Sequence, residues 1–197
     1  MLTEKLQSSN QGIAAATDHP RFTGALIALL PERKCVEELF IPGGEPVDQL
    51  HLTLFFLGDS FDITAIMQEK ITRLITLVTE LIIVSKPIAE LRAFGIAQWN
   101  PYSEEPAIVL NIGNVIGSKG RTLGEIHAII RYILEDANIN YPEQHDPWSP
   151  HICLGYNLSL TDYYEEIKQR LENFVLKFDR LMIGFGDNCT IVPLNVA

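Results

Sequence analysis

Apolar residues along this chain fall into short continuous runs and helical stripes, separated by polar turns, and the alternation spells out most of the elements. Phe22 to Leu30 (FTGALIALL) is an unbroken apolar run halted by Pro31, the mark of a buried strand. Glu32 to Phe40 has room for one or two helical turns before Pro42-Gly43-Gly44 ends them. Leu50 to Leu57 reads as a second strand, broken by Gly58-Asp59-Ser60. Ile63, Ile66, Met67, Ile71, Leu74 and Val78 then recur at helical spacing, with Asp62 placed to cap the helix.

The stretch from Ile82 to Trp99 is strand-rich, with Pro87 and Gly95 pointing to an edge or a bulge. A loop over Asn100 to Pro106 leads to a buried strand from Ala107 to Ile112. Leu123, Ile126, Ile129, Ile130 and Ile133 share one face of a helix predicted over Thr122 to Ala137. After the Pro- and Asp-containing loop from Asn140 to Pro150 comes a strand, then a helix over Tyr163 to Phe174, then strands near 175–184 and 189–194. Residues 1–20 lack such periodicity and are expected to form a flexible N-terminal tail, leaving 21–197 as one domain. Helices alternate with strands, yet several strands are consecutive, which favours antiparallel pairing and an α+β fold with helices covering the outer faces of two small sheets.

Composition narrows the setting. At 197 residues with 47% apolar content, the chain can bury a proper core. No apolar run reaches the ~18 residues that cross a bilayer, and the N-terminus lacks the charged, apolar, small-residue order of a secretory signal. Three cysteines, Cys35, Cys153 and Cys189, are an odd number without CxxC spacing, which favours a reducing cytoplasm. The formal charge of −10 opposes binding to long nucleic acid, which draws on many Lys and Arg; Lys119 and Arg121 are isolated. A small nucleotide held by a few local groups remains compatible. No membrane contact and no obligate protein partner is indicated.

One short phrase occurs twice. His51-Leu52-Thr53-Leu54 lies in QLHLTLFFLGD and His151-Ile152-Cys153-Leu154 in SPHICLGYN, 100 positions apart. On a strand, residues i and i+2 share a face, so each copy presents an imidazole and a small hydroxyl or thiol together, with Leu52 or Ile152 turned the other way. Two such strands side by side would supply a proton acceptor and a proton donor on opposite sides of a phosphorus atom. Histidine does either task near neutral pH, its reference pKa being about 6.5. The Thr53 hydroxyl can donate to a non-bridging phosphate oxygen, where negative charge develops; Cys153 is a weaker donor at the mirror position. Trp148 and Tyr156 are the best-placed rings to stack on a base, with Trp99 and Tyr102 behind them.

His19, His127 and His145 have no partner at this spacing, and no HxxxH, HExxH or CxxC pattern suggests a metal site or a cofactor. Gly113 to Gly120 (GNVIGSKG) lacks the Lys-Ser/Thr ending of a phosphate loop.

The paired phrases resemble the motifs of the two-histidine (2H) phosphoesterase superfamily, in which His-x-Thr/Ser-x, with x apolar, occurs twice, each copy on a strand. That group includes 2′,3′-cyclic nucleotide phosphodiesterases, 2′-5′ RNA ligase-like proteins and phage enzymes that destroy cyclic oligonucleotide signals. His51 to Leu54 fits fully, including the trailing Phe-Leu-Gly; His151 fits, preceded by Pro150; Cys153 stands where Thr or Ser is expected. The family frequently has an Arg near the position of Tyr156. The resemblance spans about residues 21 to 194. It implies two pseudo-symmetric lobes, each a small antiparallel sheet flanked by helices, around a central cleft. It also implies a metal-independent phosphodiesterase in which His51, Thr53, His151 and Cys153 act on a small nucleotide, either a cyclic oligonucleotide signal or a 2′,3′-cyclic phosphate. RNA end processing and nucleotide sequestration without turnover are the competing readings.

Overall fold

A computed structural model describes residues 23–194 except 146, 172 and 173. Residues 1–20, expected to be a tail, lie outside the described residues, as does His19. Among the described residues, eight strands and four helices follow the predicted order, with the strand expected near 175–184 divided into β6 and β7: β1 (Gly24–Pro31), α1 (Arg33–Leu39), β2 (Leu52–Asp59), α2 (Ala65–Leu81), β3 (Leu91–Trp99), β4 (Ala107–Asn114), α3 (Leu123–Asp136), β5 (His151–Tyr156), α4 (Leu160–Leu171), β6 (Val175–Leu176), β7 (Phe178–Phe185) and β8 (Asn188–Pro193).

Local chemistry moves a few boundaries. The cap of α2 is Thr64, whose Oγ1 accepts from the Met67 amide, whereas Asp62 ends a preceding short 3-10 turn. Thr122 and Glu125 form a reciprocal capping box on α3. The stretch expected to be strand-rich from Ile82 begins instead with a 3-10 turn, Ile83–Ser85, and pairs fully only from Leu91, past Pro87, which has no amide to give a ladder.

All strand pairs within the sheet are antiparallel and run in the order β6-β3-β4-β5-β2-β1-β7-β8. The two expected small sheets are the two four-stranded halves of this order, β6-β3-β4-β5 and β2-β1-β7-β8. They join at a seam where β2 and β5 share one register pair, Leu52 with Ile152. The chain runs through β1-α1-β2-α2-β3 and then β4-α3-β5-α4-β6-β7-β8, so each half of the sequence is a strand-helix-strand-helix-strand unit, the second with the two-residue β6 inserted before its closing strand β7 and with β8 after it. The third strand of each unit crosses over to pair with the first strand of the other: β3 with β4, and β7 with β1. Neither unit makes its half of the sheet alone.

A single row of aliphatic side chains crosses the seam: Leu110, Ile152, Leu52, Leu29, Leu181 and Val192 are opposite one another in successive strands. All are buried, at 3% exposure or less. Burying each contributes on the order of 1.5–3 kcal/mol. On this face α3 packs on β2, α2 on β7 and β8, and α4 on β3. Because strand side chains alternate, sinking Leu52 and Ile152 into this row commits their neighbours to the other face; a slip of one residue would bury the histidines instead.

Candidate active site

His51, Thr53, His151 and Cys153 all stand on the face opposite the aliphatic row, and all are half-buried. The seam brings them together. Counting one residue outward from the Leu52–Ile152 pair, His51 comes across from Cys153 and Thr53 across from His151. The two imidazoles therefore stand on a diagonal of adjacent antiparallel strands, an arrangement about 7–8 Å wide between backbones.

Each ring is held in the same way. His51 Nδ1 is 2.7 Å from the Gln49 carbonyl oxygen, and His151 Nδ1 is 2.8 Å from the Ser149 carbonyl oxygen. A carbonyl only accepts, so Nδ1 carries the hydrogen in both rings, and Nε2 is the nitrogen at which a proton could be gained or lost. The partner is in both cases the residue two positions upstream, so each short lead-in to a strand orients its own histidine.

Both motifs end in a β-bulge at the same position. Thr53 pairs with Ala28 and Phe55 with Ile27, leaving Leu54 as the extra residue; Cys153 pairs with Val109 and Gly155 with Ile108, leaving Leu154. A bulge bends the strand and increases its twist, and beyond these bulges β2 and β5 no longer pair. The lead-in loops fill the vacated edges. The Gln144 side chain accepts from the Phe56 amide at 3.1 Å and donates to the Phe56 carbonyl at 2.9 Å. Reciprocally, the Glu45 amide donates to the Leu154 carbonyl at 2.8 Å. The loop before each histidine is thus fastened to the strand of the other. Gly44 makes this close approach possible, since a Cβ there would collide with the Leu154 carbonyl and Ile41.

The predicted aromatic residues divide. Tyr156 stands on the histidine face, opposite Ala107, which in turn faces Trp99. Trp99 leans over His151, with ring centroids 4.1 Å apart at 44°, so it, rather than Trp148, is the tryptophan in contact with a motif histidine. Trp148 instead stacks on His127, 4.3 Å away and nearly parallel at 7°. That stack joins a cluster on the helix side in which Phe55 lies 5.5 Å from His127 and edge-on to Tyr141 at 4.7 Å. One face of the Trp148 ring is therefore already occupied, because a three-residue offset in a loop, unlike one in a strand, fixes no direction. Tyr102 is fully exposed in the loop after β3. His145 is exposed, and Asp146 lies outside the described residues.

His127 is buried, its Nε2 has no hydrogen-bond partner, and burial, aided by the Arg131 charge, pushes its pKa down to about 4. It is neutral at pH 7 and packs as an aromatic. The Cys153 thiol points along its own strand to the Gly155 carbonyl at 3.9 Å. Asn111, which sequence patterning did not single out, is directly opposite His151 on the same face; a lone Asn in an apolar run carries no signal of its own. Among the described residues, no three His, Cys, Asp or Glu side chains are grouped to hold a metal ion, and no helix is long and apolar enough to cross a membrane.

The fold is one already seen in solved structures. The chain is similar to Usb1 of Kluyveromyces marxianus, at 12% identity and a TM-score of 0.50, covering 89% of this chain and 99% of that one. It also matches E. coli LigT, solved in complex with 3′-AMP, at 18% identity and TM-score 0.47 over 88% of this chain and 95% of that one. A further match is a protein described as a phosphoesterase, at 17% identity and TM-score 0.47 over 89% and 97%. At these identities the likeness is one of fold. No protein-family profile and no curated protein matches the chain.

Proposed function

We propose that this protein is a two-histidine phosphodiesterase that cleaves a small nucleotide phosphodiester by general acid–base catalysis, with His51 and His151 as the proton-transferring pair. The reading rests above all on the equivalence of the two rings: each histidine is tethered through Nδ1 to the carbonyl two residues before it, on strands that meet at Leu52 and Ile152. In the reaction one neutral Nε2 takes a proton from the attacking oxygen, a water or a 2′-hydroxyl. The new P–O bond forms as the opposite P–O bond breaks, and the other, protonated Nε2 passes its proton to the leaving oxygen. Thr53 donates its hydroxyl to a non-bridging oxygen, Cys153 holds the mirror position, and Trp99 and Tyr156 line the approach. Residues 21–197 act as one unit in this scheme, since each half supplies one histidine. A net charge of −10 favours a signal-sized substrate, a cyclic oligonucleotide or a 2′,3′-cyclic phosphate, over long RNA.

The thiol of Cys153, engaged with its own strand rather than offering a hydroxyl, favours one second reading: a module that binds the nucleotide without turning it over. Incubation with 2′,3′-cyclic mononucleotides and cyclic di- and trinucleotides, with and without EDTA, separates the two. Turnover that survives EDTA and falls about 10²–10⁴-fold in each of His51→Ala and His151→Ala is the expected result. Full activity in either variant would overturn the paired-histidine mechanism, and tight binding without turnover would establish the sequestering module.

A further inference from the structure

The strand β3 carries its own bulge beside the histidine face, and that bulge displays an aromatic ring. Ala93 pairs with Ile112 and Gly95 with Asn111, so Phe94 is the extra residue between them. Its side chain is 71% exposed, an unusual cost for a phenyl ring on a sheet that buries most of its aliphatic residues. The ring is nonetheless seated: a Cβ on Gly113 would come within 3.0 Å of its Cδ1 and Cε1, so the missing side chain at Gly113 leaves the flat bed on which Phe94 rests.

That bed belongs to the histidine face. Asn111 is directly opposite His151, and Gly113 is two residues further along the same strand, so both point the same way. One strand across and two residues along puts the Phe94 bed roughly 8 Å from the His151 backbone. This is the reach of a nucleoside whose phosphate lies at the histidines. Trp99 approaches His151 from the other end of β3, in the row shared with Ala107 and Tyr156. Arg92 stands opposite Gly113 at the outer end of this surface, its guanidinium held by Glu90 at 2.8 Å. Two rings thus bracket His151 along one strand, with a cation beyond the second.

We propose that Phe94 is a stacking platform for a nucleobase and that Trp99 and Phe94 receive the two nucleosides on either side of the scissile phosphate, so that the substrate is a dinucleotide unit, linear or within a ring, rather than a mononucleoside cyclic phosphate. This rests on the paired-histidine reading and adds the substrate class to it. Stacking of a base on an aromatic ring is sequence-tolerant, so the platform selects for a second nucleoside and not for a particular base.

Kinetics on a 3′–5′-linked dinucleotide and on a 2′,3′-cyclic mononucleotide, followed by chromatography, tests the assignment. Phe94→Ala is expected to raise KM for the dinucleotide about tenfold, within the range that removing one stacking ring produces. It should leave kcat for the dinucleotide, and kcat/KM for the cyclic mononucleotide, within about twofold. Phe94→Trp should keep the dinucleotide KM, and Gly113→Val, which lifts the ring off its bed, should raise it as Phe94→Ala does. A parallel arm measures dinucleotide affinity in the His151→Ala protein, where turnover is not needed; there Phe94→Ala should weaken Kd by a similar factor. Equal losses on both substrates, or no loss on either with Kd unmoved, would overturn the inference. Such a result, with the histidine variants inactive, leaves the paired-histidine reading standing; active histidine variants would remove that reading independently.

Discussion

The two halves of the sheet hold the same backbone device with different fillings. In both, an apolar strand carries histidine and a small polar residue at i and i+2, bulges at the fourth motif position, and is tied at or just past that bulge to the loop preceding the other histidine. Past the bulge the correspondence is lost. Phe55 fills its place with a ring packed on Tyr141 and His127, whereas the matching Gly155 lies with its backbone against Gly44, so close that a Cβ would be 2.7 Å from the Gly44 Cα. One loop is fastened by a side chain, Gln144, and the other by a backbone amide, that of Glu45. Thr53 on one side faces the histidine of the other, while Cys153 answers it with a thiol. What the two halves share is the set of positions that touches the proposed phosphate; what they do not share is how the positions are held there. Packing tolerates any filling of the right volume, but proton transfer tolerates little displacement.

This contrast is open to attack at three points. The largest effect is expected at the polar pair. Thr53→Val, which keeps shape and removes the donor, should lower kcat about 10²-fold, in the range seen when one transition-state donor is removed. Cys153→Ala should cost less than tenfold and Cys153→Thr should raise kcat. Equal losses at the two positions would make the halves chemically equivalent after all. Next comes the backbone contact between the halves. Gly44→Ala should lower the stability by about 1–3 kcal/mol in urea titration, because both the Leu154 carbonyl and Ile41 must give way; an unchanged midpoint would show the seam to be soft.

The third point of attack is one of pH. His127 has a folded pKa of about 4, below its unfolded value of about 6.5. Between those values the unfolded chain binds more protons, so its contribution to stability is full above about pH 6.5 and falls as the pH drops toward 4. The slope reaches at most about 1.4 kcal/mol per pH unit. His127→Phe, which keeps a ring against Trp148, should flatten that part of the stability profile between pH 7 and 4.5; a slope that persists unchanged would place its origin elsewhere.

The element order, the α+β class and the shared face of His51 with Thr53 and of His151 with Cys153 were all legible in the sequence. Each rests on local periodicity, and a period of two along a strand is a property of the chain alone. The sequence also marked two similar halves, because the chemistry-bearing phrase is duplicated. It did not indicate that the halves share one sheet, that β2 and β5 meet at a single pair, or that Trp148 turns away to stack on His127 while Trp99, 52 positions from His151, leans over that imidazole. Nor did it mark Phe94 or Asn111. These depend on which strands become neighbours and where the bulges fall, and that is decided by contacts between residues far apart in the chain, whose strength lies in the volume and shape they fill together rather than in any pattern either carries by itself.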